Sequence, residues 1–156
     1  MPKQIITTEI EAADSHVWQL LTTPKEIEFW SPHVRELTMS PSGRFDVDTQ
    51  RNFRLELQGK QVTLETRITH CIHGEMFAET PVGGSAGIHE RVEYLKLIFR
   101  IIPLADKRCA VNFTLDYEMK GFLNKMMEKF ILGVFLSEYK LWFERLKTYA
   151  ETGRPV

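Results

Sequence analysis

Within residues 109–120, the stretch from Val111 onward alternates strictly between apolar and polar side chains. Val111, Phe113, Leu115, Tyr117 and Met119 share one parity, and Asn112, Thr114, Asp116, Glu118 and Lys120 share the other. Successive side chains of a strand point to opposite faces, so this segment predicts a strand with one buried and one wet face, the habit of an antiparallel sheet. It runs straight into residues 121–151, which contain no proline and many good helix formers. A continuous helix of about 31 residues, rising about 1.5 Å each, spans roughly 46 Å. An apolar sheet face needs a cover, and no other segment is long enough to supply one. Together the two segments predict a sheet bent around a single C-terminal helix, an arrangement that tends to leave space between its layers.

The rest of the chain fits around that pair. Residues 3–11 alternate and predict a first strand. Asp14 is placed to cap a short helix carrying Val17, Trp18 and Leu21. Thr23-Pro24-Lys25-Glu26 predicts a second helix start, with Thr23 at the cap, Pro24 at the first helical position and Glu26 reaching back. Trp30-Ser31-Pro32 stops that helix. About six strands are expected between residues 34 and 120, separated by turns at Pro41-Ser42-Gly43, Gln58-Gly59-Lys60, His73-Gly74-Glu75 and Leu104-Ala105-Asp106-Lys107. Residues 81–87 (PVGGSAG) predict a mobile loop, a hinge or a lid. No repeat or linker interrupts the 156 residues, so the whole chain, 1–156, reads as one domain of the α+β class.

Composition narrows the function by exclusion. With 20 basic and 21 acidic side chains, nothing predicts general attraction to nucleic acid or to an acidic membrane. The first residues lack the apolar core of a signal peptide, and the charges of the last helix exclude a membrane span. Two cysteines, Cys71 and Cys109, read as buried thiols of a reducing compartment. The expectation is a cytoplasmic protein.

Residues 10–24, IEAADSHVWQLLTTP, followed by Phe29-Trp30-Ser31-Pro32, resemble the opening of START-like (SRPBCC) proteins, which include polyketide cyclases/dehydrases and coenzyme-Q-binding proteins. The ending is similar too: the alternating strand, then Gly121-Phe122-Leu123 opening a helix that closes with Phe143-Glu144-Arg145-Leu146-Lys147. The order of elements fits nearly the whole chain, while the motifs cover its two ends. The resemblance implies the helix-grip fold, shared with Bet v 1-like proteins: a curved antiparallel sheet of about seven strands around a long C-terminal helix, with two short helices after strand 1. It also implies a hydrophobic cavity for lipids, polyketides, steroids or quinones. By position Trp30 matches a family aromatic that mainly supports the fold near that cavity.

The expected cavity wall follows. The strands supply Phe53, Leu55 and Phe77, then Leu95, Leu97 and Phe99, then Val111, Phe113, Leu115 and Tyr117, with Trp30 at the edge. The helix supplies Met126, Met127, Phe130 and Val134. At 100° per residue the helix carries two apolar stripes. Leu123, Met126, Met127, Phe130 and Val134 form one. Leu132, Leu136, Tyr139, Phe143, Leu146 and Ala150 form another, roughly 170° away. Three layouts accommodate this: a bend at Gly133, the favoured one; a separate short first helix; or one stripe on the sheet and the other meeting a ligand, a second subunit or a membrane surface. The methionines suit a site that adapts its shape, or ordinary core.

Candidate catalytic groups are sparse. Extending the parity of Leu95, Leu97 and Phe99 backwards puts His89, Arg91 and Glu93 on the inner face, where they could orient a carbonyl or move a proton. A bulge would instead turn Val92 and Tyr94 inward and leave those three in water. Tyr117 could donate to a carbonyl, or be a satisfied core tyrosine. In His70-Cys71-Ile72-His73 the two imidazoles diverge along a strand, and no second cluster completes a site, so no metal is expected. No cofactor motif is present. The first reading is therefore a carrier or sensor of a hydrophobic small molecule. The second is an aromatase/cyclase-like enzyme using His89, Arg91, Glu93 and Tyr117. The third is an interaction module of the coenzyme-Q-binding or ribosome-associated kind.

Overall fold

The computed structural model describes residues 3–154, Ile131 by its backbone alone. β1 (Lys3–Ile10) leads into α1 (Asp14–Thr22) and α2 (Pro24–Trp30). Six strands follow: β2 (Val34–Ser40), β3 (Gln50–Leu57), β4 (Lys60–Ile72), β5 (Met76–Gly83), β6 (Val92–Ala105) and β7 (Arg108–Met119). A short α3 (Ile88–Arg91) interrupts the series between β5 and β6, and α4 (Gly121–Met126) and α5 (Glu128–Thr152) close the chain. All seven strands form one antiparallel sheet in the order β1-β7-β6-β5-β4-β3-β2. From β2 to β7 it is a meander. Only β1 crosses over, pairing along β7 from Lys3↔Asp116 to Ile10↔Cys109.

The alternation in β7 behaves as its pattern requires. Val111, Phe113, Leu115, Tyr117 and Met119 are all buried, and the intervening side chains are partly exposed. The turns fall where the breakers stand. The Gln58-Gly59 turn has positive φ at both residues (51° and 79°), the two-residue hairpin conformation that matches strand twist.

α5 does not lie centrally on the sheet. Its C-terminal half packs toward β1 and β7. Tyr139 stacks on Phe113 with ring centroids 4.5 Å apart, and Phe143 meets the same ring at 5.3 Å. Lys147 Nζ donates to Glu9 O at 2.8 Å, and Glu151 Oε2 accepts from Glu11 N–H at 2.8 Å and from Lys147 Nζ at 2.7 Å. Those bonds, the Glu11 amide first and the Lys147 ammonium second, hold the Glu151 carboxyl below the usual glutamate range.

Four local expectations need correction. The helix runs unbroken through Gly133; the break falls at Met127, which separates α4 from α5. No side-chain cap bond forms at the start of α1 or α2; Ala13 takes the cap position ahead of Asp14. Glu26 reaches forward instead, accepting from Tyr149 Oη at 2.9 Å and tying α2 to α5. Residues 81–87 are not free. Pro81, Val82 and Gly83 belong to β5, and the following loop is strapped to Thr63 by Ala86 N–H (2.9 Å to the carbonyl) and by Ser85 in both directions. At Gly84 (φ 107°) an added Cβ would sit 2.8 Å from Leu64 Cα, so only glycine lets this strap lie flat on β4.

Candidate ligand cavity

Because α5 leans toward β1 and β7, the middle strands are left uncovered, and a cavity of about 490 Å³ opens there. β3 contributes Arg51, Phe53, Leu55 and Leu57; β4 adds Val62 and Leu64; β5 adds Glu79 and Pro81; β6 adds Leu95, Leu97 and Phe99. The strap supplies Ala86, and Ile88 and Arg91 come from α3. α5 roofs the space with Phe130, Val134, Phe135, Glu138, Tyr139 and Trp142. No β7 residue is on the wall. A shallower recess of about 410 Å³ shares Gln58, Phe130, Val134 and Glu138 with the main cavity and marks its mouth.

The wall is mostly apolar, and apart from Gln58 and Arg91 its polar groups gather at two places. At the closed end, Arg51 and Glu79 are 2% and 3% exposed. Arg51 Nε donates to Glu79 Oε2 at 3.1 Å, a second guanidinium nitrogen reaches the same oxygen, and the third donates to Leu21 O at 3.2 Å. The guanidinium lies within 5.0–5.5 Å of the Phe45, Phe53 and Phe77 ring centres, so aromatic faces replace water around it. Tyr139 stands over this pair: burial pushes its hydroxyl pKa well up, the Glu79 charge adds to that, and Arg51 partly offsets it. Tyr139 therefore stays a neutral donor. At the mouth, His33 Nε2 lies in close contact with Glu138 Oε2. Behind the roof, Trp142 Nε1 donates to Ser31 Oγ at 2.9 Å, locking α5 to the end of α2.

The sequence-predicted residues divide clearly. Phe53, Leu55, Leu95, Leu97, Phe99, Phe130 and Val134 lie on the cavity wall. Trp30 does not: its indole donates to Leu20 O at 3.0 Å and its ring meets Trp142 edge-on at 4.5 Å, joining α2 to α5. Val111, Phe113, Leu115 and Tyr117 belong to the packed core, because the C-terminal half of α5 occupies their face. Phe77 is fully buried between Phe99 and Phe45. Met126 and Met127 are exposed on the outside of the break.

His89, Arg91 and Glu93 are not brought together in a strand. Residues 88–91 are helical, and the parity argument ends at Val92. A bulge between Val92 and Tyr94 turns Val92 toward Met119, while Tyr94 Oη faces outward to Asp116 at 3.0 Å. Glu93 is exposed, His89 Nε2 lies 3.8 Å from Glu90, and Arg91 alone of the three reaches the cavity wall. Tyr117 is buried, its hydroxyl pKa raised first by burial, with the Gln4 side chain as hydrogen-bond partner. Besides Arg91 and Gln58, the polar groups that line the cavity are Arg51, Glu79, Tyr139, His33 and Glu138. A signal for the first two existed: Arg51 shares its parity with Phe53 and Leu55, and Glu79 shares its own with Phe77 and Pro81.

A curved sheet gripping one helix, with an apolar chamber between them, defines a helix-grip, ligand-cradling protein. The profile of the family described as polyketide cyclase/dehydrase and lipid transport matches residues 10–139, and the chain belongs to that family. The fold is that of several solved structures. A START superfamily protein from Mycobacterium smegmatis is 17% identical (TM-score 0.70, covering 95% of this chain and 96% of that one). Major latex-like protein 151 of Panax ginseng is 14% identical (TM-score 0.77, 96% and 97% covered). The Aha1 dimer of Colwellia psychrerythraea is 17% identical (TM-score 0.74, 98% of each chain covered). A comparison with curated proteins finds no match. Among the described residues no helix is long and apolar enough to cross a membrane.

Proposed function

We propose that this protein binds and carries a hydrophobic small molecule, such as a lipid, quinone, steroid or polyketide, whose apolar body fills the cavity and whose single polar end meets Tyr139 and the Arg51–Glu79 pair. The carrying observation is the apolar chamber of about 490 Å³ with one buried polar cluster at its closed end. At about 24 cal/mol per Å³, a dry void of that size costs about 12 kcal/mol, comparable with a domain's whole stability. Water entering through the mouth lowers that cost, and a ligand removes it. Arg51 already satisfies Glu79 and Leu21 O, so the pair is a fixed platform rather than a free base. The described cavity groups favour carriage over turnover.

Native mass spectrometry of freshly purified protein is expected to show a retained apolar molecule. Added ligand at about a hundred times its Kd stabilises by about 2.7 kcal/mol, a rise of roughly 5–10 °C in Tm for a chain of this size. A panel of lipids, quinones, sterols and aromatic polyketides that produces no retained species and no Tm rise would remove the reading.

Loading needs a source. Phe122, Leu123, Met126, Met127 and Phe130 are all exposed on α4 and the start of α5, Phe130 at the mouth itself, with Lys120, Lys125 and Lys129 among them in sequence. Such a face fits a bilayer surface with anionic headgroups. Co-sedimentation with vesicles containing phosphatidylserine is expected, and Leu123→Asp should abolish it. A second copy of the chain on this face is the competing outcome, read by sedimentation velocity.

A further inference from the structure

A second cluster of ligating groups lies outside the cavity, at the end of the sheet where the β2–β3 loop meets the β4–β5 turn. Asp46, Cys71 and His73 each offer one donor atom, and the three atoms lie within 4.8 Å of one another. The neighbourhood holds them there. Cys71 lies near the end of β4, and His73 is the first residue of the turn that follows, where its ring comes round to the side of Cys71 and Asp46; His70 is instead turned to Thr69 Oγ1. The loop carrying Asp46 is laid along β4 by Asp48 N–H to Ile68 O (2.8 Å) and Ile68 N–H to Thr49 O (2.9 Å). Buried Thr49 accepts from Asp46 N–H at 3.1 Å and donates to Arg44 O at 3.1 Å. Val47 N–H occupies Asp46 Oδ1 at 2.8 Å, which leaves Oδ2 facing His73 Nε2 at 3.8 Å.

We propose that Asp46, Cys71 and His73 bind one divalent transition-metal ion, zinc by preference, with the fourth position open to water. A tetrahedral zinc with metal–donor distances of about 2.0–2.3 Å holds its donors about 3.3–3.8 Å apart, so closing the site asks for a movement of about 1 Å. A mixed thiolate, imidazole and carboxylate set suits zinc and cobalt(II), and does not suit magnesium or calcium, which take oxygen donors. Burial, and then the Asp46 charge, push the Cys71 thiol pKa up. An ion there displaces the thiol proton, so uptake releases a proton and weakens as pH falls. The ion would clamp the β2–β3 loop to the β4–β5 turn. Arg44, with a guanidinium nitrogen 3.8 Å from Asp46 Oδ2, is the group that opposes it.

The test uses metal-free protein in a reducing buffer without chelator. Isothermal titration with zinc chloride is expected to give one ion per chain and a higher Tm. Cobalt(II) should give a thiolate-to-metal charge-transfer band with visible absorption of tetrahedral intensity. Cys71→Ser should abolish the band, and His73→Gln and Asp46→Asn should each weaken zinc uptake by at least about tenfold. Arg44→Gln should strengthen it by about two- to threefold, and His70→Gln should leave it unchanged. His73 is largely exposed, so its variant carries the test even if the Cys71 variant folds poorly. Absence of saturable uptake, a band that survives Cys71→Ser, or equal losses from the His70 and His73 variants would each overturn the proposal. None of these readouts depends on the cavity ligand.

Discussion

The two ends of α5 face different demands. In the C-terminal half, Trp142, Phe143 and Leu146 are buried, and Lys147 and Glu151 bond directly to the backbone of β1 and the residue that follows it. In the N-terminal half and in α4, Phe122, Leu123, Met126 and Phe130 are each two-thirds or more exposed. One end is spent on holding the sheet; the other roofs the cavity and faces outward. The difference teaches that a single helix divides the work of folding and of binding along its length, with Tyr139 at the boundary touching both.

That division can be broken first at the closed end of the cavity. Arg51→Met strands Glu79 in an apolar environment, and a loss of about 3–5 kcal/mol is expected in urea titration. The double variant Arg51→Met/Glu79→Leu should recover most of it, because a packed apolar pair removes the unpaired charge. Leu146→Ala, at the packed end of α5, is expected to cost about 2–5 kcal/mol through the cavity it leaves. Phe130→Ala, at the open end, should change stability by under about 0.5 kcal/mol while reducing retention of the apolar ligand. Equal losses from Leu146→Ala and Phe130→Ala would erase the contrast. The smallest effect concerns Glu151. Its carboxyl pKa is depressed in the folded state, so its contribution is present above the unfolded value near 4.5 and fades as pH falls through the lower folded value. Glu151→Gln should therefore lower stability slightly at pH 7 and make the variant less sensitive to acid as pH falls below the unfolded value near 4.5; a parallel acid profile would show that the bond to Glu11 contributes nothing.

Much of this architecture is legible in the residues. The parity of β7, the glycine turns and the proline-free C-terminal segment each state a local preference, and these agree with one another. What escapes is long-range. Arg51 and Glu79 are 28 residues apart on strands separated by β4, and nothing local announces that they meet. The break at Met127 has no proline or glycine at that residue to mark it. The parity of β6 does not carry back through α3, and the residues do not show it, because helix and strand cannot be told apart over four residues such as Ile88-His89-Glu90-Arg91. Asp46 escapes for the long-range reason: it joins Cys71 and His73 only because a loop is laid along β4.

The strap at Gly84 has a consequence for the cavity wall. Ala86 and Ile88 stand on the cavity wall at the height allowed by the glycine's contact with β4. Any side chain at residue 84 would meet the backbone of β4 at a φ that L residues rarely adopt, so the strap could not keep its place. The fit of that wall thus depends on a residue that does not itself line the cavity.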